Sequence, residues 1–335
     1  MISVSVIIPN YNHALYLEQR IESVLNQTFQ DFEIILLDDC STDNSREIIE
    51  QYKNNPKFTH VVFNKTNSGS PFKQWEKGLE LAKGDYIWIA ESDDWADHNF
   101  LATLIPLLED GAGLAYCRTF TVNHSLINKT DYFWGDELDS TRWKSDYKNS
   151  GKDEIKNYLI FRNTIPNASA CVFKKKHLSF EPKIQNMRFC GDWLFWINLL
   201  EKTNIAFTSD RLSYFRMHND TSRSIKSKIS EYQRLQEYFF VINNARKKVN
   251  VGSIKFSERE KYHWIISEIL YKEEKRIIWK MVYPLPVILF FDYVHSFSTT
   301  SPYSFTRRIR DYWQGRSNYI GSCLRALIFP SKSSQ

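Results

Sequence analysis

A chain of 335 residues that is 42% apolar and 25% charged has an ordinary globular composition, which excludes a disordered or low-complexity protein and leaves room for one large domain or two small ones. Its five cysteines, Cys40, Cys117, Cys171, Cys190 and Cys323, are scattered and odd in number, so neither a disulfide framework nor a metal-binding cysteine pair is expected, and reduced thiols in a cytoplasmic compartment are. The formal charge of +5 is uneven: Val241 to Gln335 holds 16 Lys and Arg against 7 Asp and Glu, leaving 28 against 32 elsewhere, an acidic front and a basic tail. Aromatic residues make up 15%, which favours stacking surfaces or an interface.

The segment from Met1 to Pro9 has no positive flank and too short an apolar run for a signal peptide. Val4 to Ile8 is β-branched and apolar apart from Ser5, as a strand buried on both faces should be, and ends at the turn signal Pro9-Asn10-Tyr11-Asn12. A helix follows, with Leu15, Ile21, Val24 and Leu25 expected on one face. Phe32 to Leu37 is a second buried strand, closed by Asp38-Asp39-Cys40-Ser41-Thr42-Asp43, where Ser41 or Thr42 suits the cap of a helix running to about Tyr52. Phe58 to Phe63 is a third strand, Asn67-Ser68-Gly69-Ser70-Pro71 a loop, and Phe72 to Ala82 a helix. The apolar run Tyr86 to Ala90 then ends in Glu91-Ser92-Asp93-Asp94. Three carboxylates in four residues repel one another by about 1 kcal/mol per pair even near water. Either they cap the next helix, or a hard divalent cation such as Mg2+ or Mn2+ relieves them.

Strand and helix alternate, which argues for an α/β fold with a parallel sheet built from crossover units. Each strand end delivers a polar cluster to one edge: Tyr11 and Asn12, Asp38 and Asp39, Asn67 and Gly69, Asp93 and Asp94. That edge is where such sheets bind ligands. No Gly-rich dinucleotide fingerprint and no phosphate-binding Gly-Lys loop is present.

Ser5-Val6-Ile7-Ile8-Pro9-Asn10-Tyr11-Asn12, Leu37-Asp38-Asp39-Cys40-Ser41-Thr42-Asp43, and Gly84-Asp85-Tyr86 running into Glu91-Ser92-Asp93-Asp94 together resemble glycosyltransferase family 2 over roughly the first 220 residues. The resemblance implies the GT-A fold, a Rossmann-like mixed but mostly parallel sheet flanked by helices. It also implies inverting transfer of sugars from nucleotide diphosphates. It would make Tyr11 the aromatic that stacks on the nucleobase, with Pro9 shaping that wall and Asn12 beside it. Asp39 matches the carboxylate that accepts a base imide hydrogen, favouring uracil or thymine; Asp93 matches the acid beside the ribose and diphosphate, and Asp94 the metal-binding acid. Glu91 stands where the family often has Asp, and its extra bond carries the carboxylate outward, so it is not expected to be a direct ligand. Asn67 and Gly69 resemble the loop near the diphosphate. Lys73 is placed to reach the same group or to remain a solvated helix lysine.

Further along, residues 123–152 are polar and aperiodic, the pattern of a lid or binding loop, with Trp134 and Trp143 as candidates to stack on sugar rings. Asn167 and Ser169 face the site in family members. Asp192 precedes an apolar helix and is either its cap or, as the resemblance implies, the catalytic base that removes the acceptor hydroxyl proton. His218 resembles a histidine that approaches the metal or diphosphate, and Arg216 is placed to pair with phosphate or with one of the acids.

The expected division is a GT-A domain over 1–225 and a helical, basic and aromatic C-terminal extension over 226–335. Ile229 to Lys248 and Glu258 to Val282 have a helical look, and Trp279 to Tyr293 is apolar but split by Pro284 and Pro286, with Arg307, Arg308, Arg310 and Arg316 beyond. No run of ~18 apolar residues is present, so a transmembrane helix is not expected. The tail suits a membrane interface, a small helical subdomain or a dimer contact. No nucleic-acid recognition motif is visible. The expected protein is a metal-dependent inverting transferase, with Mn2+ or Mg2+ as cofactor, that moves a sugar from a nucleotide-sugar donor, UDP-linked by preference, to a glycan or lipid-linked acceptor in cell-envelope polysaccharide synthesis. Its place would be cytoplasmic, peripheral on the inner face of the plasma membrane. The rivals are a non-catalytic sugar-nucleotide or glycan-binding protein on the same scaffold, and a nucleotidyltransferase.

Overall fold

The structure, a computed structural model, describes residues 3–123, 126–128, 133, 135–165, 167–217, 228–252, 258 and 261–265. The chain divides into two compact units, Met1–Lys226 with Val241–Val251, and Ser227–Phe240 with Gly252–Gln335.

In the first unit, β1 (Val4–Asn10), α1 (Ala14–Leu25), β2 (Phe32–Asp38), α2 (Ser45–Tyr52), β3 (Phe58–Phe63), α3 (Pro71–Leu81) and β4 (Tyr86–Ile89) alternate as the apolar runs predict. They are followed by β5 (Trp95–Ala96), α4 (Phe100–Glu109), β6 (Ala112–Asn123), β7 (Leu126–Asn128), β8 (Tyr147–Ser150), α5 (Gly151–Glu154), β9 (Cys171–Lys174), α6 (Gly191–Leu200) and β10 (Asn204–Met217). The strands form one sheet in the order β3-β2-β1-β4-β9-β6-β10-β5, with β7 on β6 and β8 on β10. β3, β2, β1 and β4 are mutually parallel. β9 runs antiparallel to both β4 and β6, so β6 and its parallel neighbour β10 point the same way as β1. The sheet is therefore mixed but mostly parallel in its principal strands. β1 and β2 are buried at every position because helices cover both faces, which is why these strands are apolar rather than alternating.

Three sequence expectations change. The buried face of α1 is Leu17, Arg20, Ile21 and Val24, while Leu15 is 83% exposed. At 3.6 residues per turn Leu15 projects away from Leu17, and a charged residue takes the place in the apolar stripe that Leu15 was expected to share. Ser41 and Thr42 do not cap α2: Asp43 accepts the Ser45 amide at 3.0 Å and the Ala14 amide at 2.8 Å, tying the starts of two helices together. Residues 123–152 are not a structureless loop. Their described residues supply β7, β8 and a short helical turn at Arg142–Lys144, where Arg142 pairs with the buried Glu154. Trp143 is wholly buried there, donating its indole N–H to the Tyr116 hydroxyl at 2.7 Å, with its ring 5.2 Å from Phe133; it is a core residue and presents no face to a sugar. The packing is irregular and short, so no periodicity announced it. Trp134 lies outside the described residues.

In the second unit, the first part of α7 (Lys228–Lys248) and the contact of Tyr238 with Trp264, ring centroids 4.9 Å apart, are described. The expected helix from Glu258 to Val282 falls mostly outside the described residues, and the apolar and basic segments beyond it wholly so. Among the described residues no helix is long and apolar enough to cross a membrane.

Candidate active site

The parallel strands deliver their carboxyl ends to one edge. At the end of β1, Asn10 donates to Asp38 at 2.9 Å and to the Ser41 hydroxyl at 3.2 Å. Pro9 is buried within the strand, whereas Tyr11 is 45% exposed, which is unusual for so large an apolar ring and leaves its face free to stack. Asn12 adopts the left-handed conformation (φ 55°), and its side chain accepts the Thr42 amide at 2.7 Å while its own amide bonds Ser41. The β1 and β2 turns are thereby fastened into one rim.

Asp39 lies beneath that rim, 4% exposed. One oxygen accepts from Asn64 at 2.7 Å and Gln74 at 2.9 Å; the other accepts the Ser68 hydroxyl at 2.7 Å, and the Ser68 amide bridges both. A carboxylate has about four acceptor positions, so Asp39 is saturated by the loop from Asn64 to Ser70 and by α3. Asn67 extends the grip by donating to the Asp39 carbonyl at 3.1 Å and accepting the amide of Gly69, whose φ of 74° suits glycine. Lys73 is exposed and donates to the Ser68 carbonyl at 2.9 Å, so its ammonium braces the loop. Asn64, Ser68 and Gln74 were not singled out from sequence. Gln74 carried a signal, being a polar residue between Phe72 and Trp75 on a face that turns out buried.

After β4 the acids separate. The Glu91 residue keeps some surface, but its carboxyl turns inward and accepts the Trp75 indole N–H at 2.8 Å. Burial first, then the Asp93 charge, lift its pKa to about 8. Asp94 is 1% exposed, accepting from Asn167 at 2.6 Å and from the Arg216 amide at 3.0 Å. Burial and the neighbouring Asp93 raise it well above the ordinary carboxylate range. The Arg216 guanidinium bonds no carboxylate among the described residues. It donates to the Asp93 carbonyl at 2.9 Å and to Gln19 at 2.7 Å, held between the rings of Tyr16 (4.3 Å) and Trp95 (4.7 Å). The counter-charge inside the protein is Arg20, fully buried on α1, which donates Nε to the Glu91 carbonyl at 2.8 Å over the Trp88 ring. Its pKa falls to about 10 through burial, against which Asp94, Asp93 and Glu91 pull upward, so it is charged at neutral pH.

The raised Glu91 pKa has a consequence for stability. Between about pH 4.5 and about pH 8 the folded protein holds a proton on Glu91 that the unfolded chain has released. Stability from this group is therefore present below that window and lost as pH rises through it, by at most about 1.4 kcal/mol per pH unit. In melts without divalent cation, Glu91→Gln should flatten the fall in Tm between the two ends of the window; an unchanged slope would refute this protonation.

Donor chemistry at this edge fits a hard divalent cation. Asp93 and Asp94 stand side by side there, and the buried Asn167 side-chain oxygen, next to Asp94, has no hydrogen-bond partner among the described residues. Among those residues no three His, Cys, Asp or Glu side chains form a ready metal group, and His218 lies outside them.

Asp192 stands in the first turn of α6, where a carboxylate is favoured by the helix dipole. One of its oxygens accepts the adjacent Trp193 amide at 2.7 Å; the other accepts Asn163 at 3.1 Å. Asn163 was not anticipated, and its position in a polar run without periodicity offered no signal.

A mostly parallel sheet with paired acids beyond its fourth strand is the architecture of the GT-A glycosyltransferases. The family model for Glycosyl transferase family 2 matches residues 5–171, and the chain belongs to that family. It is 28% identical over 245 residues to TuaG of Bacillus subtilis, a glycosyltransferase named for teichuronic acid biosynthesis, covering 71% of this chain and 90% of that protein. It is 27% identical over 252 residues to the GalNAc(5)-diNAcBac-PP-undecaprenol beta-1,3-glucosyltransferase of Campylobacter jejuni, covering 73% of this chain and 75% of that one. The fold is shared with S. aureus TarS 1-349 in complex with UDP-GlcNAc, at a TM-score of 0.62 and 16% identity over 96% of this chain and 92% of that one.

Proposed function

We propose that this protein transfers a sugar, with inversion, from a UDP-sugar to a hydroxyl of a glycan or lipid-linked acceptor in cell-envelope polymer synthesis. The observation that carries the reading is the shared edge of the sheet: the exposed Tyr11, the buried Asp39, the Asp93–Asp94 pair and, through the 163–169 segment, Asp192. The relatives named for teichuronic acid and for an undecaprenol-linked acceptor support the polymer and the lipid link.

In this reading the base stacks on Tyr11, a contact worth ~1–3 kcal/mol. Its imide N–H takes the place of the Ser68 hydroxyl on Asp39, which leaves the carboxylate fully bonded. Asn12, Asn67 and Gly69 shape the path of the diphosphate, Lys73 holds that loop, and Asp93 faces the ribose. Asp94, with His218 from outside the described residues, would hold Mn2+ or Mg2+, which offsets charge on the departing diphosphate. Asp192 accepts the acceptor proton as its oxygen attacks the anomeric carbon, and a single in-line displacement inverts that centre. The protein works at the cytoplasmic face of the membrane, which its basic tail contacts.

The test is thermal shift with a panel of nucleotides and Mn2+. UDP should stabilise the protein only when the metal is present, and Asp94→Ala should abolish that dependence. No UDP-dependent shift, together with an Asp94→Ala variant that behaves as wild type, would overturn the reading. Product analysis separates the rivals: free UDP signals glycosyl transfer, pyrophosphate nucleotidyl transfer, and no product a binding protein.

A further inference from the structure

The segment from Asn163 to Ser169 touches both sides of the site. At its start the Asn163 amide donates to Asp192 at 3.1 Å. Four residues on, the Asn167 amide donates to Asp94 at 2.6 Å. Ser169 then pins the segment to the sheet: its hydroxyl accepts the Glu91 amide at 3.1 Å, and its carbonyl accepts the Trp88 indole N–H at 3.0 Å. Four residues span at most ~14 Å even when extended, so the two carboxylates are held by points on one short tether.

We propose that Asn163 is a positioning residue for Asp192, the base that activates the acceptor, and that it stands on the same short stretch of chain as the Asn167 that bonds Asp94. The inference rests on the reading of Asp192 as the base. Its geometry explains why an asparagine is used. The bond from Asp192 to the Trp193 amide is local to its own helix. Asn163 reaches the other oxygen from a different segment and fixes the plane of the carboxylate. A neutral amide donates without carrying a charge that would compete for the proton. The frame is otherwise rigid: the Gly191 backbone lies against the Phe72 ring with no space for a Cβ, and Trp193 donates to the Leu159 carbonyl at 3.0 Å.

A misplacement near 1 Å costs up to ~10²-fold in rate. The test uses the full chain with Mn2+ and whichever of UDP-glucose, UDP-galactose, UDP-GlcNAc and UDP-GalNAc releases UDP fastest, water serving as acceptor. Asn163→Ala should lower kcat for UDP release about 10–100-fold, leaving donor KM and the UDP thermal shift at their wild-type values. Asn163→Asp, the same size but charged, should lose at least as much. If Asn163→Ala fails to fold, Asn163→Ser carries the same test, since its side chain is too short to reach. A kcat within twofold of wild type in Asn163→Ala, alongside an inactive Asp192→Asn, overturns the positioning role and leaves the proposed function standing. A rise in donor KM with kcat unchanged also overturns it. Full activity in Asp192→Asn, or no turnover of any donor by wild type, removes the underlying reading and this inference with it.

Discussion

Asp192→Asn should reduce sugar transfer by about 10²–10⁴-fold while the protein still binds UDP and Mn2+ as wild type does. An alcohol attacking an anomeric carbon becomes acidic only as the new bond forms, so the base matters in the transition state and hardly at all in the ground state. Such an interaction lowers kcat and kcat/KM together and spares binding. The substitution keeps the size of the side chain and one oxygen for the Trp193 amide, so the first turn of α6 should survive. The measurements are UDP release at saturating donor and the Tm increment on adding UDP with Mn2+. Loss of both together would show that Asp192 belongs to donor binding or to folding, and would end its assignment as base.

Arg20→Met should unfold the protein at a markedly lower temperature. The guanidinium is fully buried, with Nη1 and Nη2 lacking hydrogen-bond partners among the described residues, and its value lies in its charge beside Glu91, Asp93 and Asp94. Methionine fills most of the volume but leaves buried acids without their cation, a change that typically costs about 3–5 kcal/mol. For a domain of this size each kcal/mol lowers Tm by roughly 2–4 °C. Adding Asp93→Asn to Arg20→Met should recover part of the loss, because one of the uncompensated acids is then neutral. Excess Mn2+ should recover part as well. Melting curves for the single and double variants decide it: equal losses in both would mean that the effect is packing alone.

Much of the architecture could be read from the chain because it depends on local pattern. The strands from Val4, Phe32 and Tyr86 are mostly apolar on both faces, as burial on both faces demands. Crossover geometry then sends their carboxyl ends to one edge, so Asn10, Asp38 and the acids after Ile89 had to share it. The phase of α1 was misread because Leu15 is apolar yet exposed, and Arg20 is charged yet buried; hydropathy alone ranks them the wrong way round. An aromatic such as Trp143 in a polar run has two fates, surface or satellite core, and of the partners that decide it, Tyr116 and Tyr158 lie outside that run.

By itself the sequence determined the alternation of elements, the family, and which carboxylates gather at the edge of the sheet, because each rests on residues close together in the chain. The tertiary structure alone decided what each carboxylate touches. Asp39 is gripped by Asn64, Ser68 and Gln74, Asp94 meets Asn167 and the Arg216 amide, and Asp192 meets Asn163, partners separated by 25 to 122 residues. A hydrogen bond acts over about 3 Å and is blind to chain distance, so only the folded sheet could say which polar side chains would meet.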